Sequence, residues 1–172
     1  MTNNLKSPIR LLCLGGFLVS AGLMAAALYF QYVQQLEPCP LCIVQRWFVI
    51  AVGLVLLAGA LHNPRAWGER VYGVFTILFA GLGAAVAARH VWIQNLPPFQ
   101  QPGCGADLDT MLSSFPLLKT AALVWAGTSD CATVTWRFLG FSMPAWVLAF
   151  FVGFIVLGLV LIFSKGSSRP NL

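Results

Sequence analysis

Hydrophobic residues run along this chain in four long blocks. Leu11 to Phe30 holds 20 residues without a charge, and Ile43 to Leu61 holds 19 with Arg46 near its start. Val71 to Ala88 holds 18 uncharged residues and Pro144 to Phe163 holds 20. An α-helix rises about 1.5 Å per residue, so about 20 residues cross a hydrocarbon core roughly 30 Å thick. Backbone polar groups in lipid must pair within their own segment, which makes each block a helix. Glycines at 15, 16, 22, 53, 81, 83, 153 and 158 are tolerable there and permit close helix approach. The pattern predicts an all-α membrane protein. It is a four-transmembrane-helix bundle with spans at 11–30, 43–61, 71–88 and 144–163, and outer loops at 31–38 and 89–143. Residues 1–172 form one integral membrane domain. From Leu108 to Trp125 apolar residues dominate again, broken by Pro116 and Lys119. This stretch reads as a short helix or two lying at the membrane interface, not as a fifth span. The first block exceeds the roughly 7–15 residues of a signal-peptide core, so it reads as a retained span.

Composition agrees with that pattern. Apolar residues make up 59% of the chain and charged residues 9%, against about 45–50% and about 25% in a soluble domain. So few charges cannot clothe a water-soluble globule, and so apolar a chain is not disordered. The net charge of +5 comes from ten scattered Lys and Arg against five acids. Without a basic run or stripe, nucleic-acid binding is not expected. The bases instead orient the chain in the bilayer. Lys6 and Arg10 precede the first span, Arg65 and Arg70 lie between the second and third, and Lys165 and Arg169 follow the fourth. These regions share one side, which the positive-inside rule makes the cytoplasm, with both termini there. Glu37, Asp107, Asp109 and Asp130, four of the five acids, fall on the other side.

Candidate chemistry is concentrated in the cysteines. Cys13 lies inside the first span and reads as a small buried hydrophobe. Cys39, Cys42, Cys104 and Cys131 all fall on the outward side, where disulfides persist. Four cysteines allow three pairings, of which Cys39–Cys42 with Cys104–Cys131 is the simplest. Proline is favoured at the first helical position, so the second helix should begin at Pro40. That puts Cys39 at the cap and Cys42 in the first turn. The positive end of the helix dipole favours a thiolate there. Arg46 follows Cys42 by four residues on the same helical face and favours it further. The cysteine spacing lacks the paired C-x2-C units of a compact zinc site, so no resident metal is expected.

Cys104 lies in a Pro- and Gly-rich approach, Leu96 to Gly105, that cannot hold a regular element for long. A soluble partner can approach it there. Gly127 to Cys131 reads as a turn that brings Cys131 to the surface. Trp92, Trp125, Trp136 and Trp146 fit an outer aromatic belt.

An ordered set of segments resembles the DsbB (disulfide bond formation protein B) family of bacterial inner membranes. It comprises Glu37-Pro38-Cys39-Pro40-Leu41-Cys42 with Arg46, Arg89-His90, the Pro-rich approach to Cys104, Asp130-Cys131-Ala132, and Trp136 to Trp146. The resemblance implies a quinone-dependent protein thiol oxidoreductase. Such a protein reoxidises a periplasmic thiol oxidase, DsbA, and passes two electrons to ubiquinone or menaquinone of the membrane pool. Carried over by position, Cys104 forms the mixed disulfide with DsbA and Cys131 is its loop partner. Cys39 and Cys42 form the quinone-coupled pair, with Cys42 nearest the ring. Arg46 and His90 are the expected quinone-binding residues. Two related readings share this chemistry: a paralogue serving another thioredoxin-fold partner, and a quinone-coupled reductase of the vitamin K epoxide reductase type. The latter is disfavoured because the CxxC opens a span after a very short loop. A scaffold with two structural disulfides would show no quinone-dependent turnover.

Overall fold

The computed structural model describes residues 8–62, 67–105, 108–134 and 136–164. The elements are α1 (Pro8–Tyr32), α2 (Pro40–His62), α3 (Trp67–Gln94), α4 (Leu108–Ser114), α5 (Leu117–Ala126), α6 (Ser129–Ala132), β1 (Arg137–Phe138), β2 (Phe141–Ser142) and α7 (Met143–Phe163). A single 3-10 turn, Pro98–Gln100, interrupts the loop after α3. Of these, α1, α2, α3 and α7 are long and apolar enough to cross a membrane. They pack as a four-helix bundle in which α3 rests on both α2 and α7, and α1 rests mainly on α2.

Small residues set the closest approaches. Gly73 of α3 and Gly158 of α7 face each other so tightly that a Cβ on either would meet the other's carbonyl oxygen. Ser20 donates to the Val49 carbonyl at 2.7 Å, an interhelical bond between α1 and α2 inside the apolar interior. The central core joins Cys13, Val52, Leu56, Ala80, Ala87, Phe151, Phe154 and Leu161. Cys13 is 2% exposed, as a small buried hydrophobe should be. Glu69, the one acid at the other end of the bundle, is buried and accepts a bond from the Ser164 hydroxyl at 3.5 Å.

Two differences from the sequence reading bear on function. First, α3 continues past Ala88 to Gln94. No breaker intervenes before Pro97, and Ala87, His90 and Ile93 continue its buried face at a spacing of three. Arg89 and His90 therefore stand on a rigid helix rather than in the outer loop. Second, the loop after α5 is more ordered than its turn residues suggest. Leu139 and Gly140, with φ of 52° and 84°, form a two-residue turn that pairs Phe138 with Phe141. Positive φ at both turn positions matches the right-handed strand twist. The apolar stretch from Leu108 forms two helices, with Pro116 starting the second. Lys6, Arg65, Asp107, Lys165 and Arg169, used in the charge argument, lie outside the described residues.

Helices α4 to α6 fold back over the ends of α2 and α3. There they build a second, smaller core from Cys39, Leu41, Ile93, Met111, Val124, Cys131 and Ala132. Two of the four outer cysteines are thus core residues.

Candidate active site

The local sequence around Pro40 determines the first half of the site. The Ile43 N–H donates to the Cys39 carbonyl at 3.2 Å, the first bond of α2. Cys39 is therefore the cap, Pro40 the first helical residue, and Cys42 sits in the first turn. One helical turn brings the two sulfurs to 3.2 Å, with the Cys39 thiol donating to Cys42 Sγ.

His90 of α3, 2% exposed, lies against both sulfurs. Its Nε2 is 3.8 Å from Cys39 Sγ and its Nδ1 is 3.9 Å from Cys42 Sγ. The ring also bonds on both sides. Nδ1 is 3.1 Å from Gln45 Nε2, and Nε2 is 3.1 Å from the Cys131 carbonyl oxygen. Cys39, Cys42 and His90 form a compact group of potential soft-metal ligands. Both ring nitrogens are already committed to hydrogen bonds, so the arrangement reads as a thiol site.

Cys131 corrects the expectation of a surface residue: it is fully buried. Gly127 does make a turn, with φ of 85°, and Thr128 to Cys131 close a single helical turn. What burial requires is a partner surface, and the turn residues say nothing of one. The small core around Leu41, Ile93 and Val124 supplies it. The Cys131 thiol is packed in one small core with Cys39 and lies 3.7 Å from the Thr128 hydroxyl. The interaction with Cys39 and then burial hold its ionisation well above the usual thiol range.

Cys104 is exposed, in coil, as the Pro- and Gly-rich approach predicted. Its flanks are nevertheless tied to the Cys131 segment. The Ser129 N–H donates to the Gly103 carbonyl at 3.1 Å, and a Cβ on Gly105 would collide with the Thr128 side chain. Cys104 therefore rides over the start of α6 with its own side chain outward. Arg46 is half-buried on the Cys42 face of α2. Its guanidinium donates to Gln31 Oε1 and, at 3.2 Å, to the Ala27 carbonyl, both on α1.

Accessibility thus falls from Cys104, exposed, to Cys131 and Cys39, buried, and rises again at Cys42, which is half-buried. A family model described as disulfide bond formation protein DsbB matches residues 9–161. The chain belongs to the DsbB family. A relative from Marinobacter nauticus named disulfide bond formation protein B is 49% identical over 153 residues, covering 89% of this chain and 91% of its own. A like-named relative from Methylococcus capsulatus is 53% identical over 138 residues, covering 80% and 84%. One from Saccharophagus degradans is 53% identical over 136 residues, covering 79% and 82%. Membership makes this chain a disulfide-forming oxidoreductase of the membrane, with four spanning helices.

Against that family frame, the structure brings Cys39, Cys42, His90 and Cys131 together. Arg46 sits one turn deeper, facing α1 rather than His90. Sequence reasoning missed Gln45, Gln31 and Thr128. Gln45 carried a visible signal, an uncharged polar residue inside an apolar block three residues after Cys42, but only charges were weighed there. Gln31 and Thr128 carried none, since their partners are remote in sequence. On the opposite face of α2 from Arg46, an apolar cavity of about 650 Å³ opens between Leu41, Val44 and Phe48 of α2, Val86 of α3, and Val124 and Trp125 of α5.

Proposed function

We propose that the protein reoxidises a DsbA-like periplasmic thiol oxidase and passes the electrons to membrane quinone, ubiquinone or menaquinone. One observation carries this reading: the graded accessibility of the four cysteines, open at Cys104, closed at Cys131 and Cys39, and half-open at Cys42. A structural pair of disulfides has no need of such an order; a route for electrons does.

The steps balance as thiol–disulfide exchanges. A partner thiolate attacks Cys104 of the Cys104–Cys131 disulfide, and the electron pair of the broken bond leaves on Cys131. The Cys131 thiolate attacks Cys39, a Cys131–Cys39 bond forms, the Cys39–Cys42 bond breaks, and its electron pair leaves on Cys42. The second partner thiol resolves the mixed disulfide at Cys104, so the partner ends oxidised and this chain carries two more electrons. Burial of Cys131 and Cys39 in the same small core supports the middle step. A buried thiol held un-ionised is a poor nucleophile, so Cys131 attacks only when exchange releases it as a thiolate.

The freed Cys104 thiolate then attacks Cys131, the Cys104–Cys131 bond re-forms, and the electron pair of the broken Cys131–Cys39 bond leaves on Cys39, beside the Cys42 thiol. A quinone would supply the two-electron acceptor for this Cys39–Cys42 dithiol, and its lipid solubility matches an exit at membrane depth. The residues present suit it. Cys42 and Arg46 lie four residues apart on one half-buried face, and the guanidinium offers planar donors to a carbonyl oxygen that gains negative charge. His90 borders the same thiol at 3.9 Å. In this reading the protein lies in the bacterial inner membrane. Both termini are cytoplasmic and the cysteines periplasmic.

The test is anaerobic mixing of oxidised protein with reduced DsbA and a soluble quinone. Quinone reduction should match DsbA oxidation mole for mole. In Cys42→Ser protein the loop disulfide should react once and then stop. Sustained turnover by that variant, or DsbA oxidation without quinone reduction, would refute the relay.

A further inference from the structure

Three buried groups form a hydrogen-bonded chain through the site. Gln45 of α2 is 3% exposed and His90 of α3 is 2% exposed. Gln45 Nε2 lies 3.1 Å from His90 Nδ1, and His90 Nε2 lies 3.1 Å from the Cys131 carbonyl of α6. A carbonyl oxygen can only accept, so Nε2 carries the hydrogen and donates to Cys131. In the neutral ring Nδ1 is then an acceptor, and the Gln45 amide nitrogen is its donor. With the amide turned over, two acceptors would face each other. The network therefore assigns one tautomer and one amide orientation together.

We infer that Gln45 is a positioning residue for the electron relay: acting through His90, it seats the Cys131 segment against Cys39. This rests on the proposed hand-over from Cys131 to Cys39. The groups facing the ring are consistent with that role. Cys39 and Cys42 flank it from α2 at 3.8 and 3.9 Å, and Cys131 presents its backbone from α6. α6 is a single turn, too short to hold its own orientation, and a few bonds therefore decide where its thiol points. The bond from His90 reaches it from a membrane-spanning helix. A glutamine inside an apolar span carries a desolvation cost unless paired, and here the pairing is with the ring that touches the thiols. Exchange requires the attacking sulfur in line with the bond it breaks, so a small displacement of Cys131 slows this step more than any other.

Two measurements test it. The chain has two histidines, His62 and His90. In a His62→Gln background, with histidine and glutamine both 15N-labelled, the histidine ring signals report His90 alone. The ring should show the Nε2–H tautomer, with a through-bond 15N coupling from Gln45 Nε2 to Nδ1. A protonated Nδ1, or no coupling, overturns the inference without any substitution of Gln45. Second, oxidised Gln45→Met protein, similar in length but without a donor, is mixed with reduced DsbA in the absence of quinone. Capture at Cys104 should keep its rate, while appearance of the Cys42 thiol slows about 2- to 12-fold, the worth of one buried hydrogen bond. In steady state kcat should fall with the quinone KM unchanged. Unchanged release of Cys42 overturns the inference, and so does equal slowing of capture at Cys104. If Cys42 is never released in the unsubstituted protein, the relay itself fails, which is a separate and distinguishable result.

Discussion

Replacing Arg46 separates two roles that the geometry allows one guanidinium to play. Arg46 ties α2 to α1 through Gln31 Oε1 and the Ala27 carbonyl, and it stands on the Cys42 face. A hydrogen bond from a charged donor contributes about 1.5–3 kcal/mol. If that contact serves the reduced or charge-separated quinone, Arg46→Ala should lower kcat/KM for quinone about 10- to 150-fold, at roughly 1.4 kcal/mol per decade. Arg46→Lys should recover part of the loss, since an ammonium keeps the charge and lacks the planar fork. Gln31→Ala removes the tether and leaves the charge. Truncations at partly exposed positions usually fall within about 0.5 kcal/mol, so this variant should stay within about threefold of the parent. The assay is anaerobic quinone reduction at varied quinone, run beside the single exchange between DsbA and Cys104 as an internal control. That exchange occurs on another loop and should hardly change in any of the three. Equal losses in Gln31→Ala and Arg46→Ala would show that Arg46 acts as a helix tether. Slowed exchange at Cys104 with intact quinone kinetics would remove Arg46 from the quinone site altogether.

Because the neutral Cys131 thiol is stabilised by Cys39, its contribution to the reduced fold is complete below the ordinary thiol range near pH ~8.5 and is lost as pH rises through the higher folded value. Alkylation of Cys131 in reduced protein should therefore lag an ordinary thiol on the pH axis, and Cys39→Ala should bring its onset to lower pH; an unmoved onset would exclude the contact. Gly83→Ala should cost about 1–3 kcal/mol in detergent unfolding, because its Cβ would enter the fully buried Phe151 ring. Phe151→Leu combined with it should cost less than the sum of the two changes, and strict additivity would refute the clash. An impermeant maleimide should label Cys104 in intact reduced cells and a cysteine placed at His62 only after permeabilisation. The reverse pattern would put the redox cysteines on the reducing side and end the functional reading.

Much of the architecture was legible in the order of residues. Four apolar blocks define four spans because lipid leaves the backbone no partner outside its own helix. Pro40 announces the start of α2 since its ring suits the first turn and no other, and that start places Cys39 and Cys42 one turn apart. Cys104 was readable as an exposed loop thiol, because Pro97, Pro98, Pro102 and Gly103 forbid a regular element around it. Each of these is a local property: the residue and its neighbours suffice.

Only the tertiary structure decided which cysteine lies beneath the surface and what it touches. Cys131 lies 90 residues after Leu41 in order and yet shares a core with it. The turn chemistry of Gly127 to Asp130 describes a bend, and a bend carries no record of the surface it will cover. His90 reached the thiols because α3 continues past Ala88, and that extension depends on Ile93 finding cover beneath α4 to α6. Gln45 became part of the site for the same reason, through a ring presented by another helix. Local sequence determines where helices begin, how long they run and which thiols share a turn. Side chains from α2, α3 and α6 converge at one point only when burial of apolar surface between distant segments outweighs the freedom those segments lose on being brought together.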